Sequence, residues 1–290
     1  MKLLRVLLCG WWWLTGLAHA EAISVRDNVG ATVRLTQPAR RVVSLLPSLT
    51  ESVCAVGGCD RLVATDRWSD WPVTVQRLPK VGGLDDANVE LIVASKPDLV
   101  LASPSSRVAE RLRALGLTVA ELDAQDLPQV QHVLRTIGLL LGRAQGADQA
   151  WQHVQDQWQA AQRLVPVGAR GLRVYFEVGS GPYAASESSY IGQMLERLGA
   201  ANVVPKALGP FPQLNPEFVV RADPDVIMMV DHDVSELAQR PGWSSMRAVR
   251  RGHVCAIPGS AFTVIGRPGP RVGEAALALA QCLKAHEGAR

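Results

Sequence analysis

The sequence lacks the short motifs by which several enzyme classes are identified. Its 290 residues contain no G-x-S-x-G nucleophile elbow, no H-E-x-x-H zinc motif and no Walker phosphate loop. Asp66 and Asp70 can be drawn as a carboxylate pair, but nothing in the sequence supplies them with a partner. The sequence therefore predicts no catalytic residue and no enzyme, and a secreted hydrolase is the remote alternative.

The chain also has little excess of positive over negative charge. The chain has 30 Lys and Arg against 27 Asp and Glu, a formal net charge of +3, and no run of five basic residues. Nucleic-acid-binding proteins usually carry a basic patch or stripe, so this composition argues against a nucleic-acid partner. Hydrophobic residues make up 48% of the chain, which is enough for a sizeable core and excludes a disordered protein.

The apolar run near the N-terminus is too short to span a membrane. Residues 6–17 are uncharged, follow a short basic segment and precede the sequence Ala18-His19-Ala20. A membrane span needs about 20 apolar residues. This order of basic, apolar and small residues is instead typical of a cleaved signal peptide, although a retained anchor is the alternative. We therefore expect residues 1–20 to be removed and the protein to be exported to the periplasm.

Four cysteines lie outside the predicted signal peptide, and export makes them candidates for disulfide bonds. Four cysteines allow three pairings. Gly57-Gly58 predicts a turn that brings Cys54 and Cys59 together, which leaves Cys255 to pair with Cys282. Buried free thiols are the alternative. A zinc site is disfavoured because the sequence has no C-x-x-C.

A gapless internal repeat organises the chain. Residues 88–101 align with residues 215–228, with five identities in 14 positions. The identical pairs are Asn88 and Asn215, Glu90 and Glu217, Val93 and Val220, Pro97 and Pro224, and Asp98 and Asp225. Each copy predicts a short helix capped by Asn, ended before Pro-Asp, and then a buried strand.

The segments around the two copies correspond as well. In each half the predicted order is strand, helix, helix, strand, helix, strand, and this alternation predicts parallel sheets covered by helices. Between the halves, apolar residues recur at helical spacing with no Pro or Gly from 147 to 165. The sequence therefore predicts an α/β fold of two similar lobes, residues 21–143 and 167–290, joined by one long α-helix over residues 144–166.

These features together resemble the substrate-binding proteins of ABC importers that have a helical backbone. The resemblance covers roughly residues 41–283. Besides the repeat, it rests on five motifs: RVVSLLPSLTE (41–51), WSDWP (68–72), GPY (181–183), GPFP (209–212) and RPGPR (267–271). It implies a monomer that captures a small molecule between its lobes and delivers it to a membrane permease.

The resemblance also implies a ligand and particular site residues. Within the family it is greatest to cobalamin binders, which implies cobalamin or a related corrinoid as ligand, no cofactor, and haem or a ferric siderophore as the alternative. Glu90 and Glu217 match the glutamates, one on each lobe, that dock onto permease arginines. Aromatic side chains suit such ligands, and Arg267 suits a ligand phosphate or carboxylate. The predicted ligand contacts are Pro47, Ser48, Trp68, Tyr183, Phe211 and Arg267.

The chain departs from the cobalamin binders at three places in the predicted cleft. Two of their tryptophans align with Leu84 and Ser103, and an expected acidic residue is missing near 260–261. His232, between two aspartates after a predicted strand, is a weak candidate ligand for a metal or haem. One histidine between two acids is more typical of a solvated loop, so the sequence predicts no metal site.

Overall fold

Residues 22–179 and 183–289 are described by a computed structural model of the chain. The predicted signal peptide, residues 1–20, lies outside the described residues, as do Gly181 and Pro182 of one family motif. The described part begins with an antiparallel hairpin of strands β1 (Ile23–Arg26) and β2 (Thr32–Leu35), which the sequence analysis does not predict.

Each lobe contains a four-stranded parallel sheet within the described residues. The strands are β3 (Val42–Ser44), β4 (Leu62–Thr65), β5 (Leu99–Ala102) and β6 (Val119–Glu121) in the N-terminal lobe, and β7 (Arg173–Phe176), β8 (Ala201–Asn202), β9 (Val226–Val230) and β10 (Val254–Ile257) in the C-terminal lobe. The sheets are ordered β4-β3-β5-β6 and β8-β7-β9-β10, so the two lobes share one topology. The predicted α/β fold is thus confirmed, but β8 is absent from the predicted elements.

Helices cover the sheets and connect the lobes. They are α1 (Pro47–Ala55), α2 (Val89–Ala94), α3 (Ala109–Ala114), α4 (Leu127–Leu140), α5 (Ala144–Leu164), α6 (Tyr190–Arg197), α7 (Pro216–Ala222), α8 (Arg247–Arg250), α9 (Gly259–Ile265) and α10 (Val272–Ala285). The long helix α5 lies between the two sheets in the chain, and α10 packs along it. In the part of the chain that the structure describes, no helix has both the length and the apolar character to cross a bilayer.

The two copies of the repeat end their helices in the same way. Asn88 and Asn215 each accept a hydrogen bond from a backbone N–H in the first turn of the helix that follows. Lys96 and Asp223, the equivalent residues before Pro-Asp, both have a left-handed backbone, with φ of 47° and 40°. Such a conformation is uncommon for residues other than glycine, so its presence in both copies reflects a shared local structure.

The aspartate of each copy anchors the first strand of its lobe. Asp98 accepts a hydrogen bond from the N–H of Arg41 at 3.0 Å, and Asp225 accepts one from Arg173 at 2.9 Å. Each arginine in turn donates its guanidinium to carbonyl oxygens at the end of the helix before the aspartate. The repeat therefore joins a helix end to a strand start by the same contacts in both lobes.

The two lobes share a hydrophobic core. Alternate residues of a strand face opposite sides of its sheet, so Leu99 and Leu101 of β5 face this core together with Val226 and Met228 of β9. The residues between them face separate clusters on the outer sides of the sheets. Helices α4, α5 and α10 contribute the centre of the shared core, including Trp158.

Two disulfide bonds lie within the described residues, and their pairing is the predicted one. Cys54–Cys59 joins the end of α1 to the following turn, and Cys255–Cys282 joins β10 to α10. The first bond closes a local turn. The second bond ties an edge strand of the C-terminal sheet to the helix that packs along α5.

Close packing of α5 depends on Gly146. A Cβ added at this position would lie 2.2 Å from the carbonyl oxygen of Val56, just beyond α1. We expect Gly146→Ala to lower the free energy of unfolding by about 1–3 kcal/mol, because the backbone must shift to admit the methyl group. Denaturant unfolding followed by circular dichroism measures the change. Gly259→Ala is the control, since nothing lies within 4 Å of its added Cβ. Equal stability of the two variants would contradict the expectation.

Candidate functional site

The loops at the carboxyl ends of the two sheets face each other. Residues 66–72 follow β4 in the N-terminal lobe, and Arg267 follows α9 beyond β10 in the C-terminal lobe. The Arg267 guanidinium donates to the carbonyl oxygen of Trp68 at 3.2 Å, so the two edges meet at this point. Ligands of α/β proteins bind outside the carboxyl ends of parallel strands and at domain interfaces. The space between these edges is therefore the candidate site.

A buried carboxylate holds the loop that carries Trp68. Asp66 is 1% exposed and accepts hydrogen bonds from the Trp68 N–H, at 2.8 Å, and from the Ser69 hydroxyl. The Ser69 hydroxyl lies 2.8 Å from that of Thr50 on α1, and the Lys80 ammonium donates to the Ser69 carbonyl oxygen at 2.6 Å. Trp68 itself is 66% exposed. A rigid loop thus presents an indole ring to solvent.

Burial shifts both charged groups beneath this loop. Loss of hydration raises the pKa of the Asp66 carboxyl, and hydrogen bonds from Ser69 and from the Trp68 N–H offset part of that rise. Loss of hydration lowers the pKa of the Lys80 ammonium, and the nearby Asp66 carboxylate opposes this change. Burial beneath the loop therefore disfavours the charged form of each group, and the hydrogen bonds to Asp66 and the attraction between the two charges reduce that effect.

Tyr183 and Phe211 lie on neighbouring segments of the C-terminal lobe. Tyr183 forms an antiparallel bridge with Gln213, which is two residues from Phe211. The Phe211 ring packs edge-on against Tyr190, with 6.2 Å between ring centroids. Tyr183 is 44% exposed and Phe211 41% exposed. The C-terminal lobe therefore also presents aromatic surface to solvent.

Two further predicted contacts lie at the start of α1. Pro47 is partly buried in the first turn of the helix. Ser48 is 7% exposed and packs against the opposite lobe, since a Cβ added at Gly269 would lie 3.2 Å from the Ser48 Cβ. A side chain buried to this extent offers little surface to a ligand.

Arg267 is engaged across the lobes. Its guanidinium donates to the Glu51 carboxylate at 3.1 Å and to that of Asp70 at 2.6 Å, in addition to the Trp68 carbonyl oxygen. The side chain is 17% exposed. A ligand anion at Arg267 would have to compete with these acceptors.

Glu51 has no role among the sequence-based predictions. It is 1% exposed in α1, and its burial raises the pKa of its carboxyl group, against the opposing effect of Arg267 and Arg271. Glu51 is the last residue of the motif 41–51. It is an acidic residue at the start of a helix whose neighbouring residues are buried, and that contrast was the signal that could have identified it as a functional candidate.

Glu90 and Glu217 are each the second residue of an exposed helix start. The Glu90 side chain is 77% exposed and lies 3.4 Å from Arg111, which is also exposed. Glu217 is exposed, and no cationic side chain among the described residues forms an ion pair with it within 4.0 Å. Neither carboxylate contributes a buried contact to its lobe, so both are available to a partner.

His232 follows β9 on a turn of exposed residues. Its side chain is 73% exposed, and its ring nitrogens lie 3.4 Å from Asp233 and 3.8 Å from Asp231. Over residues 22–179 and 183–289, no group of three or more His, Cys, Asp or Glu side chains has an arrangement that could hold a metal ion. The structure therefore gives His232 no companion metal ligands in that part of the chain.

The two like lobes, the helix between them and the facing carboxyl edges define a bilobed solute-binding protein. Residues 42–261 match the model of the periplasmic binding protein family, and the chain belongs to that family. This confirms the family predicted from the motifs. The family binds and transports solutes, so the protein is not an enzyme.

Two of the similar proteins are named for different ligands, and a third is uncharacterized. The chain is 29% identical over 272 residues to an uncharacterized ABC transporter substrate-binding lipoprotein, YvrC, of Bacillus subtilis (strain 168). The aligned region covers 90% of this chain and 85% of that protein. It is 30% identical over 225 residues to the vitamin B12-binding protein of Pectobacterium carotovorum subsp. carotovorum (strain PC1), over 75% and 76% of the two chains. The structure of the periplasmic heme-binding protein BhuT with two hemes superposes with a TM-score of 0.75 and 25% identity, over 86% of this chain and 99% of that one.

The Trp68 loop should loosen when Asp66 is replaced. Asp66→Ala removes the acceptor for the Trp68 N–H and the Ser69 hydroxyl, so we expect a loss of about 1–3 kcal/mol in stability and faster amide exchange at both residues. Denaturant unfolding and amide hydrogen exchange by NMR measure these effects. Asp60→Ala is the control, since the Asp60 side chain is 66% exposed. Equal exchange in the two variants would show that Asp66 does not hold the loop.

Proposed function

We propose that the protein is a periplasmic binding protein that captures cobalamin or a related corrinoid between its lobes and delivers it to the permease of an ABC importer. The observation that carries this proposal is the exposed aromatic surface on both lobes: Trp68 on one, Tyr183 and Phe211 on the other. Large ligands with flat apolar faces gain most from such rings. The relative named for vitamin B12 supports a corrinoid as the ligand.

The ligand site is largely preformed. The hydrogen bonds around Asp66 fix the Trp68 loop, and the shared hydrophobic core fixes the position of each lobe relative to the other. A preformed surface reduces the ordering cost of binding, so little closure of the lobes is needed. The proposed ligand contacts are Pro47, Trp68, Tyr183 and Phe211. Ser48 and Arg267 are not among them, because each already contacts the opposite lobe.

Haem or a ferric siderophore is the second candidate ligand. The fold is shared with a protein solved with two hemes, and aromatic surfaces suit porphyrins as well as corrins. His232 is the candidate axial ligand in that case, since its exposed ring follows the carboxyl end of β9.

Calorimetric titration distinguishes the candidates. The mature protein is titrated with cyanocobalamin and, in parallel, with haemin and a ferric hydroxamate siderophore. A one-to-one isotherm with cyanocobalamin at micromolar or tighter affinity supports a corrinoid. Saturation by an iron compound alone would move the ligand to the second candidate, and His232→Ala then tests whether the protein supplies an axial ligand.

We expect Trp68→Ala and Phe211→Ala each to weaken cyanocobalamin binding by about 1–3 kcal/mol, because each removes a ring that stacks on the ligand. Calorimetry of each variant gives the change. Leu115→Ala is the control. Leu115 is 56% exposed but precedes β6, so it lies near the amino ends of the strands, away from the candidate site at their carboxyl ends. Unchanged affinity in both aromatic variants would remove these residues from the site.

Delivery to the permease is assigned to the glutamate pair. Glu90 and Glu217 occupy equivalent exposed positions, one on each lobe, where basic residues of a partner can reach them. A single copy of the protein then presents two matched acidic points, which orients it on the membrane protein. The protein acts as a monomer in this arrangement.

The double variant Glu90→Ala/Glu217→Ala should retain its affinity for cyanocobalamin but lose uptake through the permease. Uptake of radiolabelled cyanocobalamin by cells or proteoliposomes measures delivery. The control is Glu110→Ala/Glu196→Ala, which removes one exposed glutamate from each lobe at positions outside the repeat. Normal uptake by the first double variant would exclude the docking role.

A further inference from the structure

Residues 267–271, Arg-Pro-Gly-Pro-Arg, belong to the C-terminal lobe and contact the N-terminal lobe. We call this segment the clasp. Gly269 lies against Ser48 at the start of α1, so closely that an added Cβ would approach the Ser48 Cβ to 3.2 Å. Pro268 lines a small cavity with side chains of α4 and α6, including Val130 and Tyr190. The clasp therefore lies where elements of both lobes meet.

The first arginine of the clasp binds three acceptors of the N-terminal lobe. Arg267 donates to the buried Glu51 at 3.1 Å, to Asp70 at 2.6 Å and to the carbonyl oxygen of Trp68 at 3.2 Å. Two of these acceptors belong to the loop 66–72, and the third belongs to α1. Arg267 thus connects the aromatic loop to the helix beneath it, from the opposite lobe.

The second arginine holds the same loop by its other tryptophan. The Arg271 guanidinium lies over the Trp71 ring, 4.7 Å from the ring centroid, and pairs with Glu274 of its own helix at 2.9 Å. It also lies 3.9 Å from Glu51. Both arginines therefore compensate the buried Glu51 carboxylate, which would be costly without them.

We propose that Arg267 is a positioning residue, which holds the Trp68 loop in its ligand-binding orientation by connecting it to Glu51 and to the C-terminal lobe. The inference rests on the proposed function only where it takes Trp68 as a ligand contact. It differs from the role predicted from the sequence, in which Arg267 binds a ligand anion directly. The geometry favours positioning because the guanidinium is already bound to three acceptors and is 17% exposed.

The chain supplies a matched pair that lies within one lobe. Arg240 pairs with Glu177 at 2.7 and 2.9 Å, and the side chains are 20% and 1% exposed. The corresponding exposures are 17% and 2% for Arg267 and Glu51. Removal of either pair should cost the protein a similar amount of global stability, but the Arg240 pair does not contact the Trp68 loop in the described residues.

The experiment compares the double variants Arg267→Ala/Glu51→Gln and Arg240→Ala/Glu177→Gln with the wild type. Each double variant removes both charges and so leaves no unpaired buried carboxylate. Amide hydrogen exchange is measured by NMR on ligand-free protein, at Trp68, at Ser69 and across the sheets. We expect exchange at Trp68 and Ser69 to be at least about tenfold faster in the first variant only, beyond any change that the two variants share.

Arg267→Lys is a milder variant that keeps the charge but loses the planar fork that reaches three acceptors, and intermediate exchange at Trp68 is expected. Equal exchange of the Trp68 loop in both double variants, with Arg267→Lys like the wild type, would overturn the proposal. These measurements use ligand-free protein, whereas the calorimetric titrations test the proposed function. A result that overturns the positioning role of Arg267 is therefore distinguishable from one that overturns the proposed function.

Discussion

The apolar inner faces of both sheets are buried in the same hydrophobic core, and the placement of one lobe relative to the other follows from that burial. Helices α4, α5 and α10 occupy the space between the sheets, so each lobe covers its inner face partly with structure shared with the other. Apolar burial is the main favourable term in folding, and here much of it is lost if the lobes separate. The spacing of the two carboxyl edges is therefore a property of the core, and the space between those edges takes its dimensions from helix packing.

Much of this architecture was predictable because the repeat has local causes. The identical Asn, Pro and Asp residues cap a helix, end it and anchor the next strand, as Asp98 and Asp225 do through the same backbone contacts. Such roles depend on residues close in sequence, and they recur wherever the segment recurs. The identical Glu90 and Glu217 have no comparable role in the fold, since both are exposed at helix starts. A repeat thus separates what the backbone requires from what a partner could require.

The parts that were missed lack a recognisable pattern in the local sequence. Arg267 and Glu51 are 216 positions apart, and no local pattern indicates that one neutralises the other. Strand β8 has only two residues, too few to produce an alternating pattern, and the β1–β2 hairpin precedes the first recognisable unit. Trp68, Tyr183 and Phe211 were named from the family motifs that contain them, and their role as ligand contacts stays a prediction.

The disulfide Cys255–Cys282 encloses the clasp in a covalent ring. The bond joins β10 to α10 across 27 positions, and residues 267–271 lie near the middle of that interval. Both ends of the ring lie in the C-terminal lobe, so the clasp is part of a short loop that is held at both ends. Fraying of the C-terminal helix therefore cannot detach it from the lobe. Formation of this disulfide would then do more than add stability: it would limit the freedom of the clasp, which contacts the Trp68 loop of the other lobe.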